Sequence, residues 1–196
     1  SIFILGEGAF QLAKLKEIII PSSVVEIKNY AFQVSTLQSV KFNEGLKSIG
    51  NSAFTTYNLT GTIKFPNTLE TIGESAFNTE EIEIIFGNSL KTIGDYAFLK
   101  ILNKSLTIPE SVENIGDSAF YNQYGVSSLE ELTVLGSKNM KQMAFKNHTK
   151  LSKLTIGPKV EHIGRYSFSG LAINSLTVPS SVKKIEPYAF ADNKNL

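Results

Sequence analysis

The residues able to do chemistry in this chain are few. Two histidines, His148 and His162, are the only imidazoles in 196 residues, and no cysteine is present. A zinc site needs ligands at fixed spacing, such as His-x-x-x-His or paired cysteines, and calcium needs an acidic loop. Neither pattern occurs, so no metal site is expected. No serine stands in Gly-x-Ser-x-Gly, the turn that exposes a nucleophile to a general base. Gly6-Glu7-Gly8-Ala9-Phe10 opens like a phosphate-cradling loop but lacks the third glycine and the lysine. Glu80/Glu81 and Glu130/Glu131 are neighbours in sequence, whereas a glycosidase needs two acids facing each other across a cleft. Arg165 is the only arginine, so bidentate grips on phosphate or carboxylate are scarce. No catalytic residue and no cofactor are expected. Asn58, Asn103 and Asn147 open N-glycosylation sequons.

Composition narrows the field further. Lys+Arg 19 against Asp+Glu 18 leaves a formal charge of +1, which gives no bulk attraction to nucleic acid or an anionic membrane. Hydrophobic residues at 42% are enough for a packed core. No apolar run is long enough to cross a bilayer, so no membrane insertion is expected.

The core is announced by a repeat. Ala-Phe recurs at Ala9-Phe10, Ala31-Phe32, Ala53-Phe54, Ala76-Phe77, Ala97-Phe98, Ala119-Phe120, Ala144-Phe145 and Ala189-Phe190, with Ser167-Phe168 filling the remaining place. Four residues before each Ala stands an apolar residue, such as Ile49, Ile72 or Ile93. Seven before stands Val, Leu or Ile, except for Ser137. Farther upstream lie apolar pairs two apart, such as Leu106/Ile108 and Leu154/Ile156, which read as short strands with one buried face. Pro21, Pro66, Pro109 and Pro179 follow four of them and stop the ladder. Segments such as Gly94-Asp95-Tyr96-Ala97-Phe98 read as one helical or 3₁₀ turn. Glycine fills one column of that turn, but Lys28, Lys141 and Glu186 replace it, so no positive φ is required there. Such a unit buries its apolar face only by stacking, with phenyl rings forming a spine.

These columns resemble the BspA-like, or Treponema-pallidum-type, leucine-rich repeats. The nearest matches are Leu106-Thr107-Ile108-Pro109-Glu110-Ser111-Val112-Glu113-Asn114-Ile115-Gly116-Asp117-Ser118-Ala119-Phe120 and Leu176-Thr177-Val178-Pro179-Ser180-Ser181-Val182. The resemblance implies an α/β solenoid of leucine-rich-repeat type. Its right-handed coils of about 22–23 residues carry a parallel sheet on one face and short helical or 3₁₀ turns on the other. Residues 1–196 are expected to form one solenoid of about nine repeats. Both ends fall inside repeats, so a longer parent chain is expected. Three after each Phe the family often has Cys or Asn; here only Asn193 fits, and His148 holds one of the other places.

Two surfaces are candidates for a partner. The first is the outward file of the strands, with Lys41 and Lys64 followed by Thr107, Thr133, Thr155 and Thr177. The second is the lengthened segment Tyr121–Ser128, where Tyr121 and Tyr124 offer amphipathic rings. A third stripe, six before each Ala, alternates Lys47, Glu70, Lys91, Glu113, Lys138, Glu161 and Lys183, and reads as an ion-pair ladder between coils. The expected function is a non-catalytic protein-binding or adhesion module of a cell-surface or secreted protein. Its partner would be a protein, including host or extracellular-matrix proteins. A spacer holding another domain is the alternative, and a β-solenoid carbohydrate-active enzyme is a third.

Overall fold

The computed structural model describes every residue except Ser1, Ile2, Thr79, Glu80, Leu99, Tyr124 and Val126. Two parallel strand series alternate along the chain. The long series contains Glu17–Ile20, Ser39–Phe42, Gly61–Lys64, Ile82–Ile85, Ser105–Ile108, Glu131–Ser137 and Lys153–Val160. The short series runs through the Ile-Gly positions: Phe3–Leu5, Val24–Ile27, Ser48–Ile49, Thr71–Ile72, Thr92–Ile93, Asn114–Ile115 and Asn139–Met140 form one seven-stranded sheet. His162–Ile163 and Lys184–Ile185 pair separately. A single sheet was expected; the second arises because each isoleucine bonds to its counterpart on the next coil, as Ile72 does with Ile93.

The long series is also broken where continuity was expected. It divides into ladders of two, two and three strands. At the second break the Asn103 amide occupies the Ile84 backbone, accepting from its N–H at 2.9 Å and donating to its carbonyl at 2.9 Å. A neighbouring strand cannot use the same groups. The prolines act as read from sequence: strands stop before Pro21 and Pro109. Leu135 and Gly157 occupy that place in two coils, and there the strands run on through a bulge to Ser137 and Val160. Leu176 and Val178 lie outside any strand.

The turns are not helical, contrary to expectation. Among the described residues no α- or 3₁₀-helix occurs. The residue preceding each Ala or Ser of the Ala-Phe column is left-handed in all nine coils, with φ of 51–63°, and only Gly8 among them is glycine. A left-handed residue reverses the local twist, so a right-handed helix cannot continue through it. The freed N–H groups turn to the next coil instead. Phe98 N–H donates to the Ala119 carbonyl at 2.9 Å, and Phe10 through Phe168 repeat the bond at 2.7–2.9 Å. The neighbouring glycine column has ordinary φ, as expected, and at Gly50, Gly73, Gly94, Gly116 and Gly164 space is tight: a Cβ on Gly94 would lie 2.5 Å from the Gly73 carbonyl carbon.

The spine is present. Nine phenyl rings from Phe10 to Phe190 stack in sequence, with centroids 4.9–5.7 Å apart and planes within 17°. Phe42, Phe65 and Phe86 form a shorter stack that meets the spine edge-on. Column alanines from Ala31 to Ala144 are fully buried beside the rings. The buried apolar residues form one cluster from Ile20 to Ala189.

Candidate interaction surface

Strand register decides which of the sequence-predicted positions become neighbours. Thr107 lies directly opposite Thr133, and Thr133 opposite Thr155. Their side chains share one sheet face because residues directly opposite each other on neighbouring strands point the same way. Thr107 and Thr155 are exposed, Thr133 is half-buried, and Thr177 is exposed but outside a strand. Lys41 is exposed opposite Ile19, and Lys64 is exposed opposite Ile85. Ile19 and Ile85 are themselves 64% and 50% exposed. The file therefore places two cationic positions, Lys41 and Lys64, between two apolar ones, Ile19 and Ile85, and becomes hydroxyl-lined farther along.

Beside this file the charge stripe pairs as its alternation predicts. Lys91 Nζ lies 2.6 Å from Glu70, Lys138 Nζ 3.0 Å from Glu113, and Lys183 Nζ 2.6 Å from Glu161. The lysine hydrogen bonds hold the Glu70 and Glu161 carboxyls below their usual range and raise Lys91. These pairs are exposed, so they set register more than stability. Two adjoining open grooves lie here, the second of them lined by the stripe. A cavity of about 700 Å³ lies at the second sheet break, lined by Ile85, Asn103, Ser105, Thr107, Glu110 and Lys159. A second, of about 470 Å³, shares Glu110, Ser111 and Lys159 with it and includes Glu113, Lys138, Glu161 and Lys183. Lys159 and Glu110 pair at 3.2 Å between them. Thr107 and the ladder thus meet along one surface.

Tyr121 does not join them. It is half-buried on the turn side, in a cavity with Ser75, Asn78, Tyr96, Ser118 and Gln123. Tyr124, its predicted companion, lies outside the described residues.

Sequence reasoning missed one constellation. Ser127 Oγ lies 2.8 Å from His148 Nδ1, and His148 Nε2 lies 2.7 Å from the Phe120 carbonyl. A carbonyl only accepts, so Nε2 carries the proton and Nδ1 accepts from the serine hydroxyl. Ser127 Oγ in turn accepts the Leu129 N–H at 3.1 Å. A serine beside an imidazole invites a nucleophile–base reading. Here Ser127 and His148 are 4% and 3% exposed, and the imidazole's second nitrogen holds a backbone carbonyl. The pair is a strut. Asn193 does the same work two coils on, donating to the Phe168 carbonyl at 2.9 Å and accepting the Leu171 N–H at 2.8 Å. The clue was available: His148 and Asn193 share the column three after Phe. Burial pushes the His148 pKa down to about 4.

Among the described residues no group of three or more His, Asp or Glu is placed to hold a metal ion. No helix of the described residues is long and apolar enough to cross a membrane.

No curated protein matches the sequence. Among solved structures, a leucine-rich repeat protein from Bacteroides ovatus is 22% identical with a TM-score of 0.50, covering 98% of this chain and 68% of that one. The pneumococcal vaccine antigen PcpA is 18% identical, TM-score 0.45, covering 98% and 66%. A leucine-rich repeat protein from Eubacterium ventriosum is 18% identical, TM-score 0.35, covering 96% and 80%. The chain thus spans just under two thirds of the length of PcpA. The family model for the BspA type leucine rich repeat region matches in six copies, over residues 3–127 and 81–196. With its repeat columns, stacked coils and this match agreeing along the chain, the protein belongs to the BspA type leucine-rich repeat family.

Proposed function

We propose that the chain works as one solenoid that binds a protein partner, as part of a cell-surface or secreted protein engaged in adhesion. The observation that carries this reading is the in-register file of Thr107, Thr133 and Thr155, standing beside the groove of about 700 Å³ and the paired charges. Stacking fixes these side chains on a common backbone before any partner arrives, so little ordering entropy opposes association. Hydroxyls and exposed aliphatics suit a protein surface, and the internally paired charges give the ladder little net pull on a polyanion. Family membership supports the interaction role, since repeats of this kind build extended surfaces.

The test is surface plasmon resonance of the chain against a panel of extracellular-matrix proteins, with a Thr133→Arg/Thr155→Arg double variant alongside. Saturable binding that weakens at least about tenfold in the variant is the expected result. Binding to none of the panel would favour the spacer reading, and undiminished binding by the variant would move the interface elsewhere.

A further inference from the structure

The turn side carries a cavity that differs in chemistry from the others. The larger cavities include charged side chains: Glu110 and Lys159 in the first, Lys138 and Glu161 in the second, Glu74, Asp95 and Lys141 in a third of about 330 Å³. Among the described residues, the cavity of about 320 Å³ between Tyr96 and Tyr121 is lined by no charged group. Its walls are two phenol rings, the hydroxyls of Ser75 and Ser118, and the amides of Asn78 and Gln123. Its size is at the lower end of small-ligand sites.

The left-handed column explains why a ring face is free there. This column places Ser75, Tyr96 and Ser118 on successive coils, with φ of 51°, 53° and 52°. Where two tyrosines are consecutive in the column, Tyr166 and Tyr188, they stack at 5.0 Å, and Arg165 lies 5.1 and 5.5 Å from the two ring centroids. Tyr96 has a serine on each side. No ring among the described residues stacks on it, and it remains 53% exposed.

We propose that this cavity is a binding site for a neutral saccharide. A sugar ring offers an apolar C–H face and an edge of hydroxyls. The open face of Tyr96 takes the first, and Asn78, Gln123, Ser75 and Ser118 supply donors and acceptors for the second. Among the described residues the lining offers no cation, so the carboxylate of a uronic or sialic acid would lose solvation with nothing there to replace it. The site lies on the turn side and is independent of the sheet-face interface.

Saturation-transfer NMR on the intact chain, with cellobiose, lactose and N,N′-diacetylchitobiose as probes and digalacturonate as the acidic comparator, tests this. Saturation of the sugar C–H protons by at least one neutral probe is expected, with affinity falling at least about tenfold in Tyr96→Ala. Ser75→Tyr, which copies the Tyr166–Tyr188 stack over the free face, should abolish the signal and covers the case in which Tyr96→Ala does not fold. No transfer to any neutral probe, transfer to digalacturonate alone, or a signal unchanged in Ser75→Tyr would overturn the proposal.

Discussion

Ser137 sits where other coils place Val, Leu or Ile seven residues before the column alanine, and it is fully buried opposite Val160. Its hydroxyl has no hydrogen-bond partner among the described residues. A buried unpartnered hydroxyl costs on the order of 1–3 kcal/mol, so Ser137→Val should raise stability by about 1–2 kcal/mol in urea denaturation. A fall in stability would mean that the hydroxyl is satisfied. His148 gives a second residue-scale prediction. Its folded pKa of about 4 lies below the ordinary 6.5, so the unfolded chain takes up its proton first. The stabilising contribution is complete above pH 6.5, declines as pH falls, and is gone near the folded value. The loss amounts to about 3 kcal/mol across that window. His148→Asn, which can donate to the Phe120 carbonyl as Asn193 does to Phe168, should flatten the difference in stability between about pH 7 and about pH 4.5. Ser137 was visible in sequence as a column exception, and His148 as one member of the varied column three after Phe. What the sequence did not reveal was whether a polar exception finds a partner, because Ser127 reaches His148 from across a coil boundary.

The repeat columns showed which positions stack but not what the backbone does between them. Nine phenylalanines at coil spacing left little choice about a common spine, and Phe98→Ala should cost about 3–5 kcal/mol by urea denaturation, with smaller losses at Phe10 and Phe190, which are only partly buried. The helical turn was misread because an acid near the start of the turn, as in Gly94-Asp95-Tyr96-Ala97-Phe98, suits a helix start as readily as a left-handed turn. Only the recurring positive φ separates them. That φ is unfavourable for Ser and Tyr, so Ser52→Gly should be neutral or stabilise by up to about 1 kcal/mol, whereas Ser52→Val should destabilise. The second sheet was hidden for a related reason: two-residue strands such as Thr92–Ile93 are too short to show alternation. The break at Asn103 was hidden too, since an asparagine in a loop and an asparagine plugging a strand edge look alike in sequence. Asn103 also shows the limit of motif reading. Its sequon is legible, but its amide is buried and bonded to Ile84 on both sides. Asn58 is the exposed one of the three sequon asparagines.

At the scale of the molecule, stacking turns local chemistry into stripes. The lysine–glutamate stripe is one outcome, and Lys91→Glu would place an acid between Glu70 and Glu113. Its melting temperature should fall at low ionic strength and recover toward wild type as salt screens the repulsion. An equal fall at all salt concentrations would point to packing. The outward file from Lys41 to Thr155 is the other outcome, and the proposed interface requires it to be straight and rigid. The chain has no cysteine, so spin labels can be placed at Lys41→Cys and Thr155→Cys alone. These positions are five coil steps apart, about 24 Å at the spacing of neighbouring strands, before label length is added. Double electron–electron resonance should give a single narrow distance distribution near that value. A broad distribution, or one centred well beyond it, would mean that the coils do not share a continuous stack, and the shelf on which both proposed sites depend would not exist.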